Sequence, residues 1–155
     1  MTEQMLRQYT VLVEYLGATL GPDYEVVLHE ILPETSRVAA IANGSISGRS
    51  VGAPITNAAL RMIMQKQYET SDYNLNYTGQ LANGKTIRSS TMFIKDGGKL
   101  VGLLCINFDD SRYLAASENV LRLCHPDIFI DDHIAPQQAE PGDPFPRAVH
   151  AADTA

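Results

Sequence analysis

Two segments of this chain carry most of the polar groups that could bind a small molecule. The first is the run Asn43-Gly44-Ser45-Ile46-Ser47-Gly48-Arg49-Ser50-Val51-Gly52-Ala53-Pro54. Its three glycines let the backbone approach a ligand closely, and Arg49 offers a planar fork of N–H donors suited to a carboxylate. A helix is expected directly after it, and the free N–H groups at a helix start favour anions. Asn43, closing the preceding strand, and Ser47, inside the loop, are further candidates for ligand contact. No Gly-Lys-Ser/Thr follows, so this is not a nucleotide phosphate loop of the Walker type. The alternative is a structural loop whose glycines only relieve backbone strain.

The second segment is a pair of strands flanking Asp96-Gly97-Gly98-Lys99. With those four residues as the turn, Lys95 faces Leu100. Counting back pairs Ile94 with Val101, Met92 with Leu103, Ser90 with Cys105 and Arg88 with Asn107. Side chains alternate along a strand, so these residues are expected on one face, apolar near the turn and polar at the far end. Arg88, Ser90, Cys105 and Asn107 would then line the polar end of a binding pocket. Ile87, Ser89, Thr91 and Phe93 fall on the opposite face. A slip of one residue exchanges the two faces. The alternative is that Arg88 and Asn107 sit near solvent at strand ends.

Other reactive types are less organised. His29 shares a strand face with Val27 and Ile31, where a histidine is more often a hydrogen-bonded core residue than a ligand. Cys105 lies in an apolar strand with no base beside it in sequence, so no nucleophile is predicted. Cys124-His125 with Asp127, Asp131, Asp132 and His133 matches no zinc spacing, and Pro126 interrupts it, so no metal site is predicted. No Cys-x-x-Cys-His run or cysteine motif for covalent flavin occurs, and no cofactor is predicted.

These groups need elements to hold them. Met5, Tyr9, Leu12 and Leu16 recur at three- and four-residue steps, predicting a helix stopped by Gly21-Pro22 that buries much of its surface. Tyr24–Ile31 and Arg37–Ala42 read as strands joined through Pro33-Glu34-Thr35-Ser36. A helix is predicted over Thr56–Tyr68, capped by Thr56, with Ala59, Met62, Ile63 and Met64 facing inward. Strands follow over Asn74–Gln80, Thr86–Lys95 and Leu100–Asp109, the first two joined at Asn83-Gly84, a hairpin signal. Ser111–Leu123 reads as a last helix with Ser111 as its cap. The order predicts an α+β fold with a five-stranded antiparallel sheet and flanking helices.

The 155 residues suffice for one domain with a real core, and 45% hydrophobic against 19% charged residues indicate a globular chain. The net charge of -6 argues against gripping nucleic acid unaided. Two cysteines form no disulfide framework, and neither a signal peptide nor an apolar run of ~18 residues is seen. The expected location is the cytoplasm, away from membranes. Pro136, Pro141, Pro144 and Pro146 crowd the end of the chain. The expected division is a domain over residues 1–125 and a linker or tail, partly disordered in solution, over 126–155.

Four stretches resemble the YheO-like PAS domain family: Leu20-Gly21-Pro22-Asp23-Tyr24-Glu25-Val26-Val27-Leu28-His29, Ala42-Asn43-Gly44-Ser45-Ile46-Ser47-Gly48-Arg49, Arg88-Ser89-Ser90-Thr91-Met92-Phe93-Ile94 and Gly102-Leu103-Leu104-Cys105-Ile106-Asn107. The glycine loop together with the Cys-Ile-Asn strand is the specific part. The resemblance implies a PAS fold, a sheet enclosing a small-molecule cavity. It also implies a sensory domain of bacterial helix-turn-helix transcriptional regulators such as the D-arginine utilization repressor. No helix-turn-helix is legible in this chain, so DNA contact is expected only through a domain missing from it. The expected role is non-catalytic sensing of a small metabolite, an amino acid or organic acid, by a homodimer. Two other classes stay open: a dimerisation module with a collapsed cavity, and a small-molecule enzyme using Cys105 or His29.

Overall fold

A computed structural model of the chain describes residues 1–125; the tail expected over 126–155 lies outside them. The first helix, α1 (Glu3–Leu20), begins where Thr2 Oγ1 accepts the Met5 N–H at 3.1 Å. Glu3 lies in its first turn, where the helix dipole favours an acid. It ends at Gly21, whose φ of 92° an L side chain would resist. Val13 and Gly17 are fully buried, and Met5, Leu6, Tyr9, Leu12 and Leu16 pack around them. The buried stripe is narrower than the periodicity predicts, because Val11 and Tyr15 point away and stay 57% and 62% exposed.

Five antiparallel strands form one sheet in the order β2-β1-β5-β4-β3. They are β1 (Tyr24–Ile31), β2 (Ser36–Ala42), β3 (Tyr73–Gln80), β4 (Thr86–Asp96) and β5 (Lys99–Phe108). The chain crosses from the β2 edge to the β3 edge through the glycine loop and α2 (Asn57–Met64). This is the α+β architecture expected. β1 from Glu25 to Glu30 and β5 from Gly102 to Cys105 are continuously buried, as strand segments covered on both faces must be.

The two faces carry separate cores. Val26, Leu28, Ile94 and Leu104 pack against α1. Val27, Val38, Phe93, Leu103 and Cys105 pack with Ala59 and Met62 of α2. Each fully buried Val or Leu among them contributes about 1.5–3 kcal/mol. α2 starts at Thr56, whose Oγ1 accepts the Ala59 N–H. It stops at Met64, short of the predicted Tyr68, because Lys66 turns left-handed (φ 53°) into a 3-10 turn over Gln67–Glu69. Met64 is 74% exposed rather than inward, because it falls on the side of α2 away from Ala59 and Met62.

The turn between β4 and β5 is tighter than expected. Gly97 and Gly98 both have positive φ and close a two-residue hairpin, with Asp96 opposite Lys99 and Lys95 opposite Leu100. A bulge then follows: Ile94 pairs with Gly102, leaving Val101 as the extra residue of β5. From there Thr91 pairs with Cys105 and Ser89 with Asn107.

Among the described residues, those from Asp110 to His125 belong to a second unit. Within it α3 (Ser111–Cys124) carries an Arg122–Glu118 ion pair at 2.7 Å. Its cap position is Asp110, one residue before the predicted Ser111. No helix among the described residues is long and apolar enough to cross a membrane.

Candidate functional site

The bulge at Val101 decides which polar groups meet. Arg88 and Ser90 do not share a face with Cys105 and Asn107, contrary to the expected pairing; the extra residue shifts the register by one. Ser89 and Thr91, expected on the opposite face, replace them. Arg88 lies on the α1 side of the sheet, its guanidinium 4.9 Å from the Phe108 ring, which in turn packs on Tyr24. The Ser90 hydroxyl accepts the N–H of Asn76, a left-handed residue (φ 53°) at the irregularity in β3.

The face toward α2 holds a buried polar network. Glu25 and His29, both on β1, are 1% and 2% exposed. One Glu25 oxygen accepts the Ser47 hydroxyl at 2.6 Å and the Ser47 N–H at 3.1 Å. The other accepts the Asn107 amide at 2.9 Å. Ser47 Oγ also accepts the Arg49 N–H at 3.2 Å, so one hydroxyl ties the loop to the strand. Arg49 Nη1 lies 3.5 Å from His29 Nε2, and Arg49 Nη2 donates to the Pro54 carbonyl.

A second branch crosses the sheet. His29 Nδ1 is 3.8 Å from Cys105 Sγ, which is 3.3 Å from Thr91 Oγ1, itself 2.7 Å from the Tyr77 hydroxyl. A guanidinium only donates, so His29 Nε2 accepts and the ring proton sits on Nδ1, directed at the sulfur. Four elements therefore converge: β1, β3, β4 and β5, with the glycine loop closing the end.

The loop is pinned to do this. The Val38 N–H donates to Ala53 O, and the Gly52 N–H donates to Val38 O, both at 2.8 Å. At Gly44 an added Cβ would come 2.9 Å from the Arg49 carbonyl oxygen, so a side chain there would push Arg49 away. Asn43 does not join the network. Its amide lies 2.8–3.2 Å from the carbonyl oxygens of Gly17, Gly21 and Tyr24, capping the end of α1 while its own φ is 56°.

Burial sets the electrostatics. It lowers the His29 pKa to about 4, helped by the Arg49 charge, so the imidazole is neutral near pH 7. Burial pushes the Cys105 thiol up to about 11 and also raises the Tyr77 phenol. Proton transfer from thiol to imidazole is uphill, the reverse of an activated cysteine. Among the described residues no three His, Cys, Asp or Glu side chains are grouped to hold a metal ion. An open depression of about 440 Å³ lies at the far end of β1 from Glu25, lined by Ile31, Pro33, Lys99 and Leu100 among others. It includes none of the expected site residues.

The reading of the residues brought Ser47, Arg49, Cys105 and Asn107 to this site, and His29 as a core residue. It missed Glu25, Thr91 and Tyr77. The signal for Glu25 was available: period-two alternation sets it on the face of Val27 and His29, an acid in an otherwise apolar strand.

Residues 1–125 match the family described as YheO-like PAS domain. Over 106 residues the chain is 33% identical to the uncharacterized protein YheO of Escherichia coli K12, covering 68% of this chain and 44% of that protein. Over 108 residues it is 31% identical to an uncharacterized protein of Haemophilus influenzae, covering 69% and 48%. The chain thus spans less than half the length of these curated relatives. Among solved structures, the PAS domain of a Colwellia psychrerythraea protein aligns at TM-score 0.42 and 19% identity, covering 70% of this chain and 98% of that one. An RNA-binding light-oxygen-voltage receptor aligns at TM-score 0.44 and 9% identity, covering 80% and 40%.

Proposed function

The chain belongs to the YheO-like PAS domain family, and we propose that it is the cytoplasmic sensing part of a bacterial transcriptional regulator. It takes up a small amino acid or organic acid, acts as a homodimer, and relays the bound state to a DNA-reading part outside this chain. The observation that carries this reading is the convergence of Glu25, His29, Ser47, Arg49 and Asn107 on the α2 side of the sheet, with Arg49 delivered by a glycine-shaped loop.

The relay follows from the partners of Arg49. A ligand carboxylate is a stronger acceptor for the guanidinium than neutral His29 or the Pro54 carbonyl. Taking Arg49 away from them loosens the loop that joins β2 to α2 near Pro54, while its ties through Ser47, Gly52 and Ala53 remain. Binding would then favour one arrangement of that segment over another. In this reading the role is non-catalytic: with the Cys105 thiol pushed up to about 11 and the His29 ring lowered to about 4, moving the thiol proton to the ring is uphill, which supports binding over nucleophilic catalysis.

One observation favours the rival of a module that binds no ligand. Among the described residues every buried side-chain nitrogen and oxygen already has a partner, so the network is satisfied as it stands. Thermal-shift measurements against amino acids and small organic acids separate the readings. Sensing requires a saturable rise in melting temperature, lost in Arg49→Ala and kept in Arg88→Ala. No shift across the panel would favour the assembly module, and turnover of a panel member would favour an enzyme.

A further inference from the structure

α1 has a second face that the sheet does not use. Gln4, Gln8, Val11, Tyr15 and Ala18 recur at four- and three-residue steps and all are exposed. At about 100° per residue they form one stripe along the helix, with Val11 and Tyr15 at its centre. Arg7 and Glu14, both exposed, lie two turns apart along the same edge of that stripe. Glu3, exposed in the first turn, precedes Arg7 on that edge, so the edge reads acid, base, acid, and Arg7 and Glu14 are the pair of opposite charges placed symmetrically about positions 10 and 11.

We propose that this stripe is the interface of a homodimer in which α1 packs antiparallel on α1 of a second copy. In an antiparallel pair related by a two-fold axis, each edge of a helix meets the same edge of its partner, running in reverse. Arg7 then faces Glu14 of the second copy, and Glu14 faces its Arg7. The axis passes between positions 10 and 11, which brings the two Val11 side chains together and lays each Tyr15 over the other helix. A parallel pair would set this edge against the opposite one, where Gln8 and Thr19 offer no charge. The charge pattern is self-complementary only in the antiparallel arrangement.

The proposal rests on the homodimer in the reading above, names its surface, and needs no ligand. A helix of 18 residues is about 27 Å long, so the contact is at the small end of stable interfaces and a dissociation constant on the order of micromolar is expected.

Sedimentation velocity of the full chain from about 1 to about 200 µM tests it. The expected result is a monomer–dimer equilibrium weakened by salt. Glu14→Arg, which sets like charges opposite at two places, should weaken the dimer about tenfold or more. The swap Arg7→Glu with Glu14→Arg should restore it to within about threefold. Circular dichroism of each variant checks that the fold is kept. A monomer across the whole range overturns both the interface and the homodimer. A dimer indifferent to Glu14→Arg, or one not restored by the swap, overturns this interface and leaves the homodimer itself standing.

Discussion

Acidification should destabilise this protein through His29. The ring is 2% exposed, and burial, with Arg49 beside it, holds its pKa at about 4 against the ordinary 6.5. Between those values the unfolded chain binds a proton that the folded chain refuses. Stability is therefore complete above pH ~6.5 and is lost as pH falls toward ~4. The gap of about 2.5 pK units, at about 1.36 kcal/mol each, gives a loss of roughly 3 kcal/mol, a sizeable share of a typical domain's stability.

The assay is urea unfolding at several values from about pH 7.5 to about pH 4.5. It is run on the wild type and on His29→Gln, whose amide keeps a donor and an acceptor but does not titrate. Carboxylates titrate in both proteins, so the difference between the two pH profiles isolates His29. The wild type should lose roughly 2.5 kcal/mol more than the variant over that range, the remainder of the gap being lost only below the folded pKa of about 4. Parallel profiles would refute the reasoning. So would an imidazole NMR resonance of His29 that titrates near its ordinary value in the folded protein. The NMR measurement also serves if His29→Gln folds poorly.

Further outcomes can be checked independently. Gly17→Val should destabilise by about 1–3 kcal/mol, because an added Cβ would sit 2.4 Å from Ala42 Cβ; Ala42→Gly should recover part of the loss, both read by urea unfolding. Ser47→Ala removes the hydroxyl donor to Glu25 and the acceptor of the Arg49 N–H, while the Ser47 backbone N–H keeps its bond to Glu25. It should cost about 1–3 kcal/mol by thermal melting, whereas Ser90→Ala, with one backbone donor to lose, should cost about 1 kcal/mol or less. A thiol reagent should modify Cys124 quickly and Cys105 only on unfolding, since Cys124 is exposed and Cys105 is buried with its pKa pushed up to about 11.

The elements were legible because their signals are local. Gly21 and Thr56 mark helix ends through φ angles and hydrogen bonds that reach no further than a few residues. The Gly97-Gly98 turn is likewise dictated by its own residues. The length of α2 was less legible, since the left-handed Lys66 carries no glycine signal.

The site divides along the same line. The chain alone determined the α+β order, the family resemblance, and the loop residues Ser47 and Arg49 as polar groups on a shaped backbone. It also set Glu25 beside His29 on one strand face, by simple alternation. Only the tertiary structure decided that Arg88 and Ser90 face α1 while Ser89 and Thr91 face α2. The cause is one extra residue, Val101, at a place where Gly102 passes the His29 carbonyl so closely that an added Cβ would lie 2.9 Å from it. A strand's period is two, so one bulged residue exchanges every side chain beyond it, and the pairing that creates the bulge lies in another part of the chain.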